Sequence, residues 1–213
     1  MKRHFSIFIL LAACLPALPA WAMEVSPDVL VDNTAQEVLA IARQDKDIRA
    51  GSKSRLIELV EAKVLPHFDF TRMTRLAMGK HWFKAEAGQQ QQLVNEFRTL
   101  LVRTYTNAFT TYRDYTIAVE PLKGKADDSN TTVKTQVIRG QGQQPVPIDY
   151  SMAKAADGWK VYDVTVAGVS LVTSYRSTFD SQIHDGGVEK LLKTLTDKNR
   201  ALVAADKTSD VSR

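Results

Sequence analysis

Few residues of this chain are of a type and spacing that does chemistry. His67-Phe68-Asp69 offers two side chains able to ligate a metal, and His81 offers a third. Asp69, however, follows Pro66 at a helix-start position, where capping explains it. Ligand spacing alone is weak support for a metal, so none is assigned. Asp163 sits in the strand-like run Val161-Tyr162-Asp163-Val164. One acid on a sheet cupped around a cavity is a layout that moves a proton on an apolar substrate. By strict alternation Asp163 shares its side with Trp159, Val161 and Thr165, while Tyr162, Val164 and Val166 take the other. If the second set faces a cavity, Asp163 points away from it, and a base must reach its proton. His184 stands in a Gly/Asp-rich stretch that reads as an exposed turn. No HExxH, GxSxG or phosphate-binding glycine loop occurs. The chain therefore offers no catalytic residue, and its chemistry reads as binding.

The first residues say where that binding takes place. Lys2, Arg3 and His4 precede an apolar run from Phe5 to Leu15, and Ala20-Trp21-Ala22 has the small-x-small form of a secretory cleavage site. The apolar run is shorter than the roughly 20 residues that span a bilayer. The expectation is cleavage after Ala22 and a soluble product outside the cytoplasm, with residues 1–22 as a signal peptide. Leu11-Ala12-Ala13-Cys14 also resembles a lipoprotein cleavage box, which would leave a lipid on Cys14. An uncut N-terminal anchor is the third alternative. Cys14 is the only cysteine, so the product cut after Ala22 has neither disulfides nor a catalytic thiol.

The whole chain carries a formal charge of +4. Two of its basic residues, Lys2 and Arg3, leave with the leader, and the balance that remains is close to even. No basic cluster with interleaved aromatics occurs, so a nucleic-acid partner is not expected.

Patterning gives the elements. Apolar residues recur at helical spacing from Val29 to about Gln44 and from a Ser52 cap to Pro66. A third helix runs from an Asp69 cap to Gly79, and the longest from about Gln89 to Arg113. From Tyr115 to Val166 the period changes to two, in four runs separated by Lys123-Gly124 through Asn130, Gly140-Gln141-Gly142 and Asp157-Gly158. Four short-looped strands make an antiparallel meander, one face of which packs on helices. A helix follows Gly168, breaks at Gly186-Gly187, and resumes as a short final helix. The reading is one α+β domain over residues 23–204, with a curved four-stranded antiparallel sheet, surrounding helices and a disordered polar tail over 205–213.

Three ordered segments carry a family resemblance. The first is Val64-Leu65-Pro66-His67-Phe68-Asp69-Phe70 with Leu76-Ala77-Met78-Gly79-Lys80-His81-Trp82. The second is Ala85-Glu86-Ala87-Gly88-Gln89-Gln90 running into Phe97-Arg98-Thr99-Leu100-Leu101-Val102-Arg103-Thr104-Tyr105. The third is Gly158-Trp159-Lys160-Val161-Tyr162-Asp163-Val164 with Ala167-Gly168-Val169-Ser170-Leu171-Val172. Together they resemble the MlaC family of periplasmic phospholipid-binding proteins, also described as toluene-tolerance auxiliary components. Ala167 departs from the family, standing where an acidic residue often precedes the Gly-Val-Ser run. The resemblance implies an NTF2- or cystatin-like cone enclosing an apolar cavity. It implies phospholipid as ligand, with no cofactor. It also implies two partners, an inner-membrane ABC transporter bearing a ring of MCE domains and an outer-membrane lipoprotein–porin complex. The function implied is shuttling of phospholipid between the membranes, which maintains outer-membrane lipid asymmetry. The rival reading is an NTF2-like enzyme acting on a hydrophobic substrate.

Burying two chains of about 16 carbons, at ~0.8 kcal/mol per CH₂, is worth roughly 25 kcal/mol gross. Such a ligand requires a deep cavity at or above the top of the usual range of about 300–1,000 Å³. The expected lining comes from Leu93, Phe97, Leu101, Tyr105 and Ala108 of the long helix. The sheet adds Val133, Val137, Ile148, Tyr150, Val164 and Val166, and the last segment adds Val169, Val172 and Tyr175. Arg98 or Arg103 is the expected head-group contact, since guanidinium suits phosphate. A carrier that docks at two membranes is most simply a monomer.

Overall fold

A computed structural model describes residues 25–112, 115–123, 129–138 and 142–211, the side chains of 107–112 and 209–211 excepted. The predicted helices form where the caps lie. Helix α1, Pro27–Gln44, starts with Pro in its first turn, where the missing N–H costs nothing. A short α2, Lys46–Ala50, follows; the Asp45 carboxylate accepts the Asp47 and Ile48 N–H groups. Ser52 caps α3, Lys53–Lys63, by accepting the Arg55 N–H. A 3₁₀ turn over Leu65–His67 leads to α4, Phe70–Met78, where Asp69 accepts the Arg72 N–H at 2.8 Å. A second 3₁₀ turn, Gly79–Lys84, joins it to α5, Ala87–Tyr112.

The sheet is an antiparallel meander of β1 Thr116–Val119, β2 Asn130–Ile138, β3 Val146–Ala155, β4 Gly158–Val166 and β5 Val169–Ser170, in that spatial order. The sequence led to four strands, with Val169 opening a helix. The fifth exists because Ala167-Gly168 makes a two-residue hairpin turn in which both residues have positive φ, 49° and 84°. That pattern matches the sheet's twist. Helix α6 then begins at Leu171 and reaches Val211. Gly186 and Gly187 interrupt it, Gly187 with φ 73° and ψ −175°, a region only glycine enters easily. The expected disordered tail is instead helical through Val211, and Asp206 within it is 4% exposed.

Strand β4 carries a bulge. Ser151 pairs with Asp163 but Met152 pairs with Val161, so Tyr162 has no partner. A bulge resets the alternation of faces. Val161 and Val164 therefore pack on the same side, with Val133, Met152 and Trp159. The strict alternation read from the sequence fails here for that reason. Tyr162 turns outward, and the Arg72 guanidinium lies 3.7 Å from its ring centroid. The bulge is also where the chain before α4 docks, through Asp69 N–H to the Val161 carbonyl at 2.9 Å.

Three apolar clusters hold these elements. The largest joins α4, α5 and α6 around Phe97, Phe179, Met73 and Leu191. A second joins α1, α2 and α3. The third covers one end of the sheet's inner face with Leu30 and Val31 of α1. Helix α1 is tied to the sheet edge by Gln36 donating to the Ile117 carbonyl and Arg43 to that of Tyr115.

Candidate functional site

Between the sheet and the helices lies a cavity of about 410 Å³. Its sheet wall is Ile117 of β1, Val137 of β2, Val146, Ile148 and Tyr150 of β3, and Val164 and Val166 of β4. The opposite wall is Leu101, Val102, Tyr105 and Thr106 of α5. Leu39, Val60, Val64, Leu65, Phe68, Phe70 and Met73 close it from α1 to α4, and Tyr115 and Leu171 complete it. The bulge at Tyr162 matters here, since without it Val164 and Val166 would face outward.

No lysine, arginine, histidine, aspartate or glutamate is among these lining residues. The polar atoms on hand are hydroxyls. Burial pushes the Tyr150 hydroxyl up to about 12 against a hydrogen bond with Thr135 that works the other way. Burial, reinforced by the neighbouring Tyr105, does the same to Tyr175 behind the wall. Both stay neutral at ordinary pH. Such a lining excludes water-loving groups and takes hydrocarbon.

Of the expected lining, Leu101, Tyr105, Val137, Ile148, Tyr150, Val164 and Val166 meet at this cavity. The others do not. Leu93 and Phe97 are fully buried one to two turns earlier on α5. There Phe97 packs edge-on against Tyr175 and Phe179, at 5.0 and 5.1 Å between centroids. A helical stripe is continuous in sequence, but its neighbours change along its length. Val172 and Tyr175 belong to that same interhelical cluster. Val133 is enclosed by Met152, Trp159 and Val161 at the far end of the sheet. Val169 is 58% exposed on the two-residue β5. The Ala108 side chain lies outside the described residues. Sequence reasoning missed the Phe68–Phe70 pair, stacked at 5.7 Å, although both flank the Asp69 cap.

The expected head-group arginines are engaged elsewhere. Arg98 pairs with Glu61 at 3.1 Å. Arg103 pairs with the buried Asp206 at 2.7 Å. Neither lines the cavity. Asp163 also has a structural role. Its carboxylate accepts the Val164 N–H at 2.8 Å, the Ser170 hydroxyl at 2.6 Å and the Val172 N–H at 3.1 Å. It thus anchors the start of α6 and is not among the lining residues. His67 is half-buried; desolvation and then Lys160 lower its pKa. His81 Nε2 lies 2.7 Å from Asp180 Oδ1. Among the described residues no group of three His, Cys, Asp or Glu is placed to hold a metal ion.

The volume is well below the top of the range that two acyl chains were expected to need. Five of the lining residues, Phe68, Phe70, Tyr105, Tyr115 and Tyr150, carry rings. Among the described residues no helix is long and apolar enough to cross a membrane.

The chain is similar to known proteins. The model of the MlaC protein family matches residues 32–197. The intermembrane phospholipid transport system binding protein MlaC of Haemophilus influenzae is 21% identical over 194 residues, covering 90% of this chain and 91% of its own. The toluene tolerance protein ttg2D of Pseudomonas putida is 24% identical, covering 84% and 82%. A phospholipid-binding protein of Ralstonia solanacearum, solved in complex with a phospholipid, superposes with a TM-score of 0.77 at 36% identity. That match covers 84% of this chain and 99% of the other.

Proposed function

The chain belongs to the MlaC family, and from that membership we propose that it is a periplasmic phospholipid carrier and not an enzyme. The observation that carries this reading is the cavity, walled by hydrocarbon and aromatic side chains, with no carboxylate, amine, guanidinium or imidazole among the described lining residues. Such a site grips acyl chains and leaves the phosphate to solvent at the mouth, since an unpaired buried charge is prohibitive. The Ralstonia relative, which holds a phospholipid, supports the ligand class.

The leader of residues 1–22 directs export and is cut after Ala22. The product works as a monomer. It carries lipid between an outer-membrane lipoprotein–porin complex and an inner-membrane ABC transporter with an MCE-domain ring, so sustaining outer-membrane lipid asymmetry. The gross burial of roughly 25 kcal/mol for two chains opposes spontaneous release, so a partner must shield the chains or open the cavity. At about 410 Å³ the cavity is small for two such chains, so a diacyl ligand requires its lining to give way.

The test is native and denaturing mass spectrometry of protein purified from the periplasm without detergent. A bound mass matching phospholipid, released on denaturation, is the expected result, and the same spectrum reports the first residue and the number of chains. Protein that is empty and takes no lipid from vesicles would overturn the reading.

A further inference from the structure

The turn Gly79–Lys84 presents Phe83 to solvent at 81% exposure, the highest of the exposed large apolar residues among those described. The turn is pinned from beneath. Trp82 packs on the main core, and its carbonyl accepts from Gln90 Nε2 at 2.9 Å and from the Ala85 N–H at 3.3 Å. His81 meets Asp180 on α6. A phenyl ring held outward on a fixed turn cannot fold away from water. Lys80 and Lys84 flank it, both exposed. Among the described residues neither has a hydrogen bond or ion pair; Lys80 only lowers the Asp180 pKa from a distance, behind His81. Arg75 and Arg176 lie at the same end of α4, Arg176 donating to the Leu76 carbonyl at 2.9 Å. The nearby acids are Asp180, committed to His81, and Glu86.

We propose that this turn is an interfacial contact with an anionic phospholipid surface, Phe83 entering the acyl boundary and Lys80 and Lys84 reaching the phosphates. Apolar insertion with basic flanks is how peripheral segments hold a bilayer, and lysine stems allow the ring to sink while the charge stays at the head groups. A protein partner fits less well, because protein interfaces are depleted in lysine and need a contiguous patch, whereas Phe83 stands alone. The turn lies outside the cavity lining, so the contact rests on the carrier reading only for its biological use. Its loss leaves lipid binding intact.

The experiment is co-sedimentation of the purified protein, expressed from its whole sequence, with vesicles of phosphatidylethanolamine and phosphatidylglycerol, and with phosphatidylcholine vesicles. Binding is expected only to the anionic vesicles and to fall with salt. Phe83→Ser should weaken it about tenfold, Phe83→Leu should largely restore it, and Lys80→Gln and Lys84→Gln should each cost about fivefold. Absence of binding, equal binding to phosphatidylcholine, or indifference to Phe83→Ser would overturn the proposal. Co-purified phospholipid is measured in the same samples, so a variant that leaves the vesicles but keeps its lipid separates this contact from carriage itself.

Discussion

Two residues around the β4–β5 turn show how local chemistry fixes the backbone between the lining residues Val166 and Leu171. Ala167 holds φ 49°, a conformation that costs a residue with a Cβ about 1 kcal/mol and that Asn tolerates. Its N–H meanwhile donates to the Pro147 carbonyl at 2.9 Å, so the backbone cannot relax without losing that bond. Ala167→Asn is expected to stabilise the protein by about 1 kcal/mol and to raise the melting temperature by about 2–4 °C, read by thermal unfolding. Asp163 acts on the same corner. Its carboxylate satisfies the Val172 N–H, one of the first of α6, and holds the Ser170 hydroxyl, which itself accepts the Thr173 N–H at 3.0 Å. Asp163→Ala should cost about 1–2 kcal/mol, the usual loss of a cap. Lipid bound per folded molecule should be unchanged. Loss of lipid with normal unfolding would restore a functional role to the acid.

At the scale of elements, the second half of α6 is fastened across α3 and α5 by charge. Asp206 lies 2.7 Å from Arg103 and 3.6 Å from Lys53, with its side chain 5% exposed. Removing one partner of a buried pair leaves an uncompensated charge. Lys53 remains, so Arg103→Ala should cost about 2–3 kcal/mol by urea unfolding while the folded protein still carries lipid. The opposite pattern, normal stability with lipid lost, would return Arg103 to the head group. This contact also marks what the sequence could not show. The caps at Ser52 and Asp69, the long helix and the strand runs were legible because each depends on residues within a few positions. The Arg103–Asp206 pair spans 103 positions, and a polar tail gives no local sign that it will be buried. The bulge at Tyr162 was hidden too, because period-two patterning carries no mark of an inserted residue. The short α2 was passed over because five residues hold too little periodicity to read.

For the molecule as a whole, the question is which apolar residues hold the fold and which hold the ligand. Sequence patterning treats Leu93 and Val166 alike, and both were expected to line the cavity. The structure separates them. Leu93 is 0% exposed inside the α4–α5–α6 cluster, whereas Val166 faces open volume opposite α5. Truncating a close-packed side chain leaves a hole, so Leu93→Ala should lose about 2–5 kcal/mol of stability. Folded Leu93→Ala should nevertheless retain its phospholipid. Val166→Trp should do the reverse. Its indole has the cavity to enter, so the strain that enlarging a filled core brings, about 1–3 kcal/mol, should mostly be absent. The indole then displaces acyl chain directly. Native mass spectrometry and urea unfolding of the two variants side by side check this crossing of effects. Equal lipid loading in Val166→Trp and the parent would mean that the acyl chains do not occupy the volume beside Val166.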